Sequence, residues 1–285
     1  MIEKAKFWRW SKVRLDIWDV EEVMESRVIH LVPQLDIKMF GLGTTGVAER
    51  VFRRIVSGDI SQLKRINVEE CQLLSSASND HDLAAEALTR VETLDVGVIS
   101  TDLARALFQK ISSSENVTVA NLSIHQTFKN SEIEIEIDEI EIDEIVGLLA
   151  TALVRLELVY VSRSCLSQTQ FLRIFQSITN CQDLRLRSLN ISVEDLSGVG
   201  AGELVSAVCR LGQVSFSETG LLSHQIVALL RCVADGNSNL RNVFLKEDSL
   251  ESVPPKLINQ ARARLQVLEL DYCKSSKYIE PCRVT

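Results

Sequence analysis

Apolar residues return along the chain in one short pattern. In LKRINVEECQL, Leu63, Ile66 and Val68 stand at intervals of three and two, and Cys71 and Leu73 follow. The triplet recurs at Val91/Leu94/Val96, Val119/Leu122/Ile124, Leu156/Val159/Val161 and Leu186/Leu189/Ile191, then at Leu211/Val214/Phe216, Leu240/Val243/Leu245 and Leu265/Leu268/Leu270. The steps run from 25 to 37 residues. Alternation at the end of each triplet predicts a short half-buried strand. Between triplets the period becomes helical: Leu103, Ala106, Leu107 and Ile111 form one stripe, Leu172, Phe175 and Ile178 another, Ile226, Leu230 and Val233 a third. Ser167 and Ser223 stand where a helix needs an N-cap oxygen. Pro254 and Pro255 open the next helix, where a missing N–H costs little. Trp10/Val13/Leu15 and Val32/Leu35/Ile37 are degenerate copies, the second followed by a helical run of Val47, Ala48, Val51, Phe52, Ile55 and Val56. Trp8 and Trp10 beside the first strand are expected to seal an end of the array.

L-x-x-L-x-L-x-x-C-x-L is the signature of a leucine-rich repeat. One such unit cannot bury its own apolar strip, so stacked neighbours must supply the core. Parallel strands pack about 4.8 Å apart and helices roughly 8–10 Å apart, so a stack with strands on one side and helices on the other must bend. The predicted fold is an α/β leucine-rich-repeat solenoid, a horseshoe with a concave parallel β-sheet and helices on the convex side. Residues 1–62 read as an N-terminal cap with degenerate repeats, 63–273 as the array, and 274–285 as a flexible tail. The ninth repeat position, which normally bonds the turn, holds Cys71, Thr127, Ser164, Thr219, Asp248 and Cys273. Ile99 and Glu194 break that rule, so looser turns are expected in the second and fifth units. A buried Asp248 would need donors or a raised pKa.

The longest step contains EIEIEIDEIEIDEI (Glu132–Ile145), with two copies of IEIDE and eight carboxylates between Glu132 and Glu144. We read it as an acidic insertion near 130–144 in a surface loop, running into a helix at Ile142, Ile145, Val146 and Leu149. Its rival reading is a lure for a basic partner. A net charge of −8 argues against nucleic acid and anionic membranes, which call for a basic face. No apolar run reaches the length of a membrane span, and the start lacks a signal-peptide core. Seven irregularly spaced cysteines without a CxxC suggest neither a disulfide framework nor zinc. Cys209 and Cys232 fall in helical patterns and read as buried structural thiols. A reducing compartment is expected, cytoplasmic or nuclear.

No HExxH, GxSxG or GxxxxGK[ST] occurs, and GLGTTG (Gly41–Gly46) departs from the spacing of a dinucleotide loop. The four histidines are scattered over different units. The expectation is a protein without catalysis, cofactor or metal. The informative positions are the strand residues that alternate outward onto the sheet. Tyr160, Arg163, Arg187, Asn190, Phe244, Lys246, Glu269 and Tyr272 are the candidate partner contacts, because exposed aromatic residues and arginine anchor interfaces. Tyr160, Arg163 and Arg187 on adjacent strands, and Phe244 with Lys246, are the expected clusters.

FWRWSKVRLDIWDVEEVMESRVIHLVPQLDI (Phe7–Ile37) resembles the segment that follows the F-box in animal F-box leucine-rich-repeat proteins. There a Trp-rich strand precedes an "EVM-SR" helix and a second strand. VETLDVGVISTDLARALFQKISSSEN is similar to that family's long repeats and to repeats of the ribonuclease-inhibitor type. The departure is the F-box itself, whose helices would precede Phe7 and are absent from the sequence. With an F-box in the full gene product, the resemblance implies substrate recognition for a cullin-type ubiquitin ligase and docking to its subunits. The alternative is an enzyme inhibitor, or the sensor domain of an immune receptor. Either way the expected partner is a protein on the concave face.

Overall fold

The computed structural model of the chain describes residues 13–15, 34–38, 45–60, 63–69, 78–97, 100–125 and 139–271. Trp8, Trp10, Cys71, Ile99, Thr127, Tyr272, Cys273, the acidic stretch up to Asp138 and the tail lie outside them. The chain divides into two compact units, Met1–Val119 and Ala120–Thr285.

In the first unit β1 (Val13–Leu15), β2 (Gln34–Lys38), β3 (Arg65–Glu69) and β4 (Thr93–Val96) pair in parallel, in chain order. Leu35 stands opposite both Val13 and Ile66, and Ile66 opposite Leu94. Helices α1 (Thr45–Ser57), α2 (Ser78–Leu88) and α3 (Thr101–Ser113) pack in sequence, each on the next. Val51, Phe52 and Ile55 of α1 are buried, as are Leu103, Ala104, Leu107, Phe108 and Ile111 of α3. Ala106, which the stripe placed inside, is only half-buried because Ala104 and Phe108 centre the buried face one position away.

The second unit repeats the plan six times. Strands β5 (Asn121–His125), β6 (Leu158–Ser162), β7 (Ser188–Ser192), β8 (Gln213–Ser217), β9 (Asn242–Lys246) and β10 (Val267–Asp271) form one parallel series. Between them lie α4 (Glu139–Leu153), α5 (Gln168–Asn180), α6 (Ala201–Val208), α7 (Ser223–Ala234), a short 3₁₀ turn (Asp248–Ser252) and α8 (Pro255–Arg262). The middle triplet residues Leu122, Val159, Leu189, Val214, Val243 and Leu268 stand in register, and so do Ile124, Val161, Ile191, Phe216, Leu245 and Leu270. All are buried except Leu268 and Leu270. Each unit is therefore an α/β solenoid of leucine-rich-repeat type, one parallel sheet with a layer of helices. Helix α4 begins at Glu139, three residues ahead of the expected Ile142, so the second IEIDE copy is helical rather than loop.

The turns after the strands explain what the ninth position does. Arg163, Val193 and Glu218 adopt φ of 51°, 56° and 57°, a left-handed conformation that a β-branched residue such as Val193 takes rarely. Their N–H groups extend the sheet by one bond, to the carbonyls of Ser192, Ser217 and Lys246 at 3.3, 2.9 and 2.9 Å. The next residue, Ser164, Glu194 or Thr219, then turns into the interior. Glu194 does not loosen its turn. It is buried, and its Oε1 accepts the Ser164 N–H at 2.5 Å, because a glutamate is long enough to reach the turn of the preceding repeat. Glu247 does the same two repeats on, accepting the Thr219 N–H at 2.8 Å and its hydroxyl at 2.6 Å. Glu247 has a φ of −140°, so its side chain points inward from the eighth position, while Asp248 opens the 3₁₀ turn.

Capping follows the same economy of polar groups. Ser167 caps α5 as expected, with Gln170 returning a bond to the Ser167 N–H at 2.9 Å. Ser223 does not cap α7; Leu222 holds the cap position, and the fully buried Gln225 accepts its N–H at 2.6 Å. The same amide donates to the carbonyls of Leu196 and Val199 at 2.9 and 2.5 Å, tying α7 to the preceding turn. At the other end of α5, the Arg210 guanidinium donates to the carbonyls of Ile178, Thr179 and Cys181. Charge-assisted bonds to the terminal carbonyls of a helix are the strong kind. Arg210→Ala is expected to lower stability by about 1–3 kcal/mol, read as a lower urea midpoint at constant slope.

Candidate functional site

Alternation sends every second strand residue away from the helices. In the second unit those residues form a lattice with three rows. The middle row, in register, is Ser123, Tyr160, Asn190, Ser215, Phe244 and Glu269. Toward the strand ends lies His125, Ser162, Ser192, Ser217, Lys246 and Asp271, and toward the strand starts Asn121, Leu158, Ser188, Gln213, Asn242 and Val267.

The lattice has a shape. Tyr160 and Phe244 lie three strands apart, roughly 14 Å at about 4.8 Å per strand. Between them β7 and β8 offer only short polar groups and one glutamine: Ser188, Asn190, Ser192, Gln213, Ser215 and Ser217. The result is a trough with an aromatic wall on each side and a polar floor. His125 supports one wall, its ring 5.0 Å from that of Tyr160 and tilted by 51°. Lys246, beside the other wall, is held by Glu218 at 2.8 Å. Beside the second wall, Asn242 of β9 donates to the Gln213 side chain on the floor at 3.2 Å. Asn190 Oδ1, Ser188 Oγ and Asn242 Oδ1 are covered and find no hydrogen-bond partner among the described residues. Unpaired polar atoms of this kind are uncommon in folded proteins.

Of the residues the sequence singled out, Tyr160, Asn190, Phe244 and Glu269 share the middle row, and Lys246 lies beside Phe244. Arg163 and Arg187 do not form a cluster with Tyr160. Arg187 precedes β7 at the edge where the strands begin, its N–H bonded to the Glu157 carbonyl at 2.9 Å. Arg163 follows β6 at the opposite edge. The two sit six strand positions apart, about 20 Å at roughly 3.3 Å per residue. Adjacent strands bring equal repeat positions together, and these two positions are unequal. Tyr272 lies outside the described residues. Sequence reasoning passed over the floor residues Ser188, Ser192, Gln213 and Ser217, although the alternation around Leu189 and Val214 carries the signal for them, as that around Val243 does for Asn242.

The first unit has its own outward face. There Asp95 is buried, and its carboxylate takes the Arg65 Nε–H at 2.7 Å. Asn67 stands in register with Asp95, and Lys64 is exposed just before β3.

Comparison with protein-family models gives no match, and comparison with curated proteins gives none. Among the described residues, no helix is long and apolar enough to cross a membrane, and no group of three or more His, Cys, Asp or Glu is placed to hold a metal ion.

Under the strand ends lie the two buried glutamates. Burial pushes the Glu194 carboxyl up to about 7, against the Ser164 N–H and hydroxyl, which favour the anion. Burial raises Glu247 too, opposed by Thr219 and by the backbone of Gly220 and Leu221.

Proposed function

We propose that the chain is a non-catalytic protein-interaction module, and that the trough of the second unit receives the partner. The observation that carries this is the in-register row in which Tyr160 and Phe244 flank a floor of small polar side chains. Parallel strands bonded on both sides hold that row still, so little ordering accompanies binding. Aromatic walls bury area with few rotatable bonds, and the short polar floor leaves room between them for a partner's side chain. The resemblance of Phe7–Ile37 to the post-F-box segment supports a finer reading, in which the module selects substrates for an F-box-type ubiquitin ligase in the cytoplasm or nucleus. Docking to ligase subunits then requires an F-box in the full gene product.

The test is paired alanine substitution with capture of the native partner. Tyr160→Ala with Phe244→Ala is expected to weaken capture by about 2 kcal/mol or more and to leave the melting temperature nearly unchanged. Gln176→Ala with Arg231→Ala, both exposed on the helical side, is expected to leave capture intact. Affinity lost through the helical pair and kept by the trough pair would place the site on the other face. Ligase subunits among the captured proteins support the finer reading; a tight binary complex with an enzyme favours an inhibitor.

A further inference from the structure

On the helical side, two thiols meet outside everything the trough uses. Cys209 ends α6 as its C-cap residue, and Cys232 lies in α7. Their sulfurs are 2.9 Å apart. The two differ in access: Cys209 is buried, Cys232 half-buried. Both line a cavity of about 470 Å³ open to solvent, together with Val205, Ser206, Gly236 and Asn237. Cys232 Sγ also lies 3.2 Å from the Asn237 carbonyl.

We propose that Cys209 and Cys232 form a thiol-modification site, in which a small disulfide of the glutathione type converts the pair into an intramolecular disulfide. Access assigns the roles. Cys232, facing the cavity, attacks one sulfur of the small disulfide as the thiolate; the S–S bond breaks and one thiolate leaves. Cys232 then carries the small thiol as a mixed disulfide. Cys209 loses its proton to the departed thiolate and attacks Cys232 Sγ, breaking the mixed bond and expelling the second small thiol. Two protein thiols are oxidised by two electrons, and one small disulfide is reduced to two thiols. Burial and the adjoining Cys232 push the Cys209 thiol up to about 12, which suits a group that reacts only with a sulfur already beside it and not with reagents in solution. The product ties two consecutive helices together by a covalent bond.

The experiment treats the native full chain with oxidised glutathione, blocks remaining thiols by alkylation, and maps peptides by mass spectrometry. The wild type is expected to show a Cys209–Cys232 linked peptide, lighter by two hydrogens, and no glutathione retained on either residue. Cys209→Ser is expected to trap glutathione on Cys232, since the resolving thiol is gone. Cys232→Ser is expected to leave Cys209 unmodified. Circular dichroism confirms that each variant is folded, and the wild-type map stands independently of both. Glutathione retained on Cys232 in the wild type, or Cys209 joined to another cysteine, would overturn the proposal.

Discussion

Leu189→Ala is expected to destabilise the second unit by about 2–5 kcal/mol. Leu189 sits at the centre of β7, wholly buried, in register with Val159 on one side and Val214 on the other. Truncation removes most of its contacts and leaves a space bounded by rigid strands on both flanks. In a solenoid, stability is the sum of each repeat and its two interfaces, so a gap in the middle weakens both joins. Val267→Ala on β10 is the matched control. Val267 is 41% exposed at the last described strand, and a surface change of that kind stays within about 0.5 kcal/mol. Urea denaturation of both variants reads the contrast. Equal losses would mean that the ladder through Leu189 is not where the stability of the unit resides.

That ladder was legible in the sequence because two independent periods agree on it. The interval of two within each triplet fixes which side of the strand is apolar, and the recurrence after 25 to 37 residues brings each triplet beside the next. Neither period carries information about the turns. Whether the eighth residue goes left-handed, as Val193 does, or stays extended, as Glu247 does, decides whether the ninth or the eighth side chain is buried. Glu194 therefore looked like a broken turn when it is the partner of Ser164. The wall residues Tyr160 and Phe244 were legible for a related reason: aromatic rings at outward positions stand out. The serines between them do not, since a serine at a strand position reads as ordinary surface until its neighbours are seen to be serines too. Arg163 and Arg187 misled because their positions were grouped by strand rather than by distance along it.

The stability contributed by Glu194 is expected to fall as pH rises, the reverse of a salt-bridged carboxylate. Its carboxyl titrates at about 7 in the folded unit, against an ordinary value of 4.5. Below about 4.5 the group is protonated in both the folded and unfolded chains, and its contribution is full. Between 4.5 and 7 the unfolded chain gives up the proton first, so each step in pH favours unfolding. Above about 7 both states are ionised and the loss is complete. At about 1.4 kcal/mol per pH unit, the interval from 4.5 to about 7 sets an upper figure of about 3.5 kcal/mol. Glu194→Gln keeps an oxygen for the Ser164 N–H and removes the charge. The difference in stability between this variant and the wild type should therefore be small at pH 4.5 and grow in favour of the variant up to pH 8. Taking the difference removes the titration of every other carboxylate, including Glu247, whose raised pKa tilts both curves the same way. Glu194→Ala separates charge from bonding. It leaves the Ser164 N–H without its partner and should cost about 1–3 kcal/mol where the wild-type group is protonated. Melting temperatures of the three proteins at half-unit steps from pH 4.5 to 8 provide the reading. Parallel curves for the wild type and the Gln variant would show that Glu194 ionises in the folded unit as freely as it does in the unfolded chain.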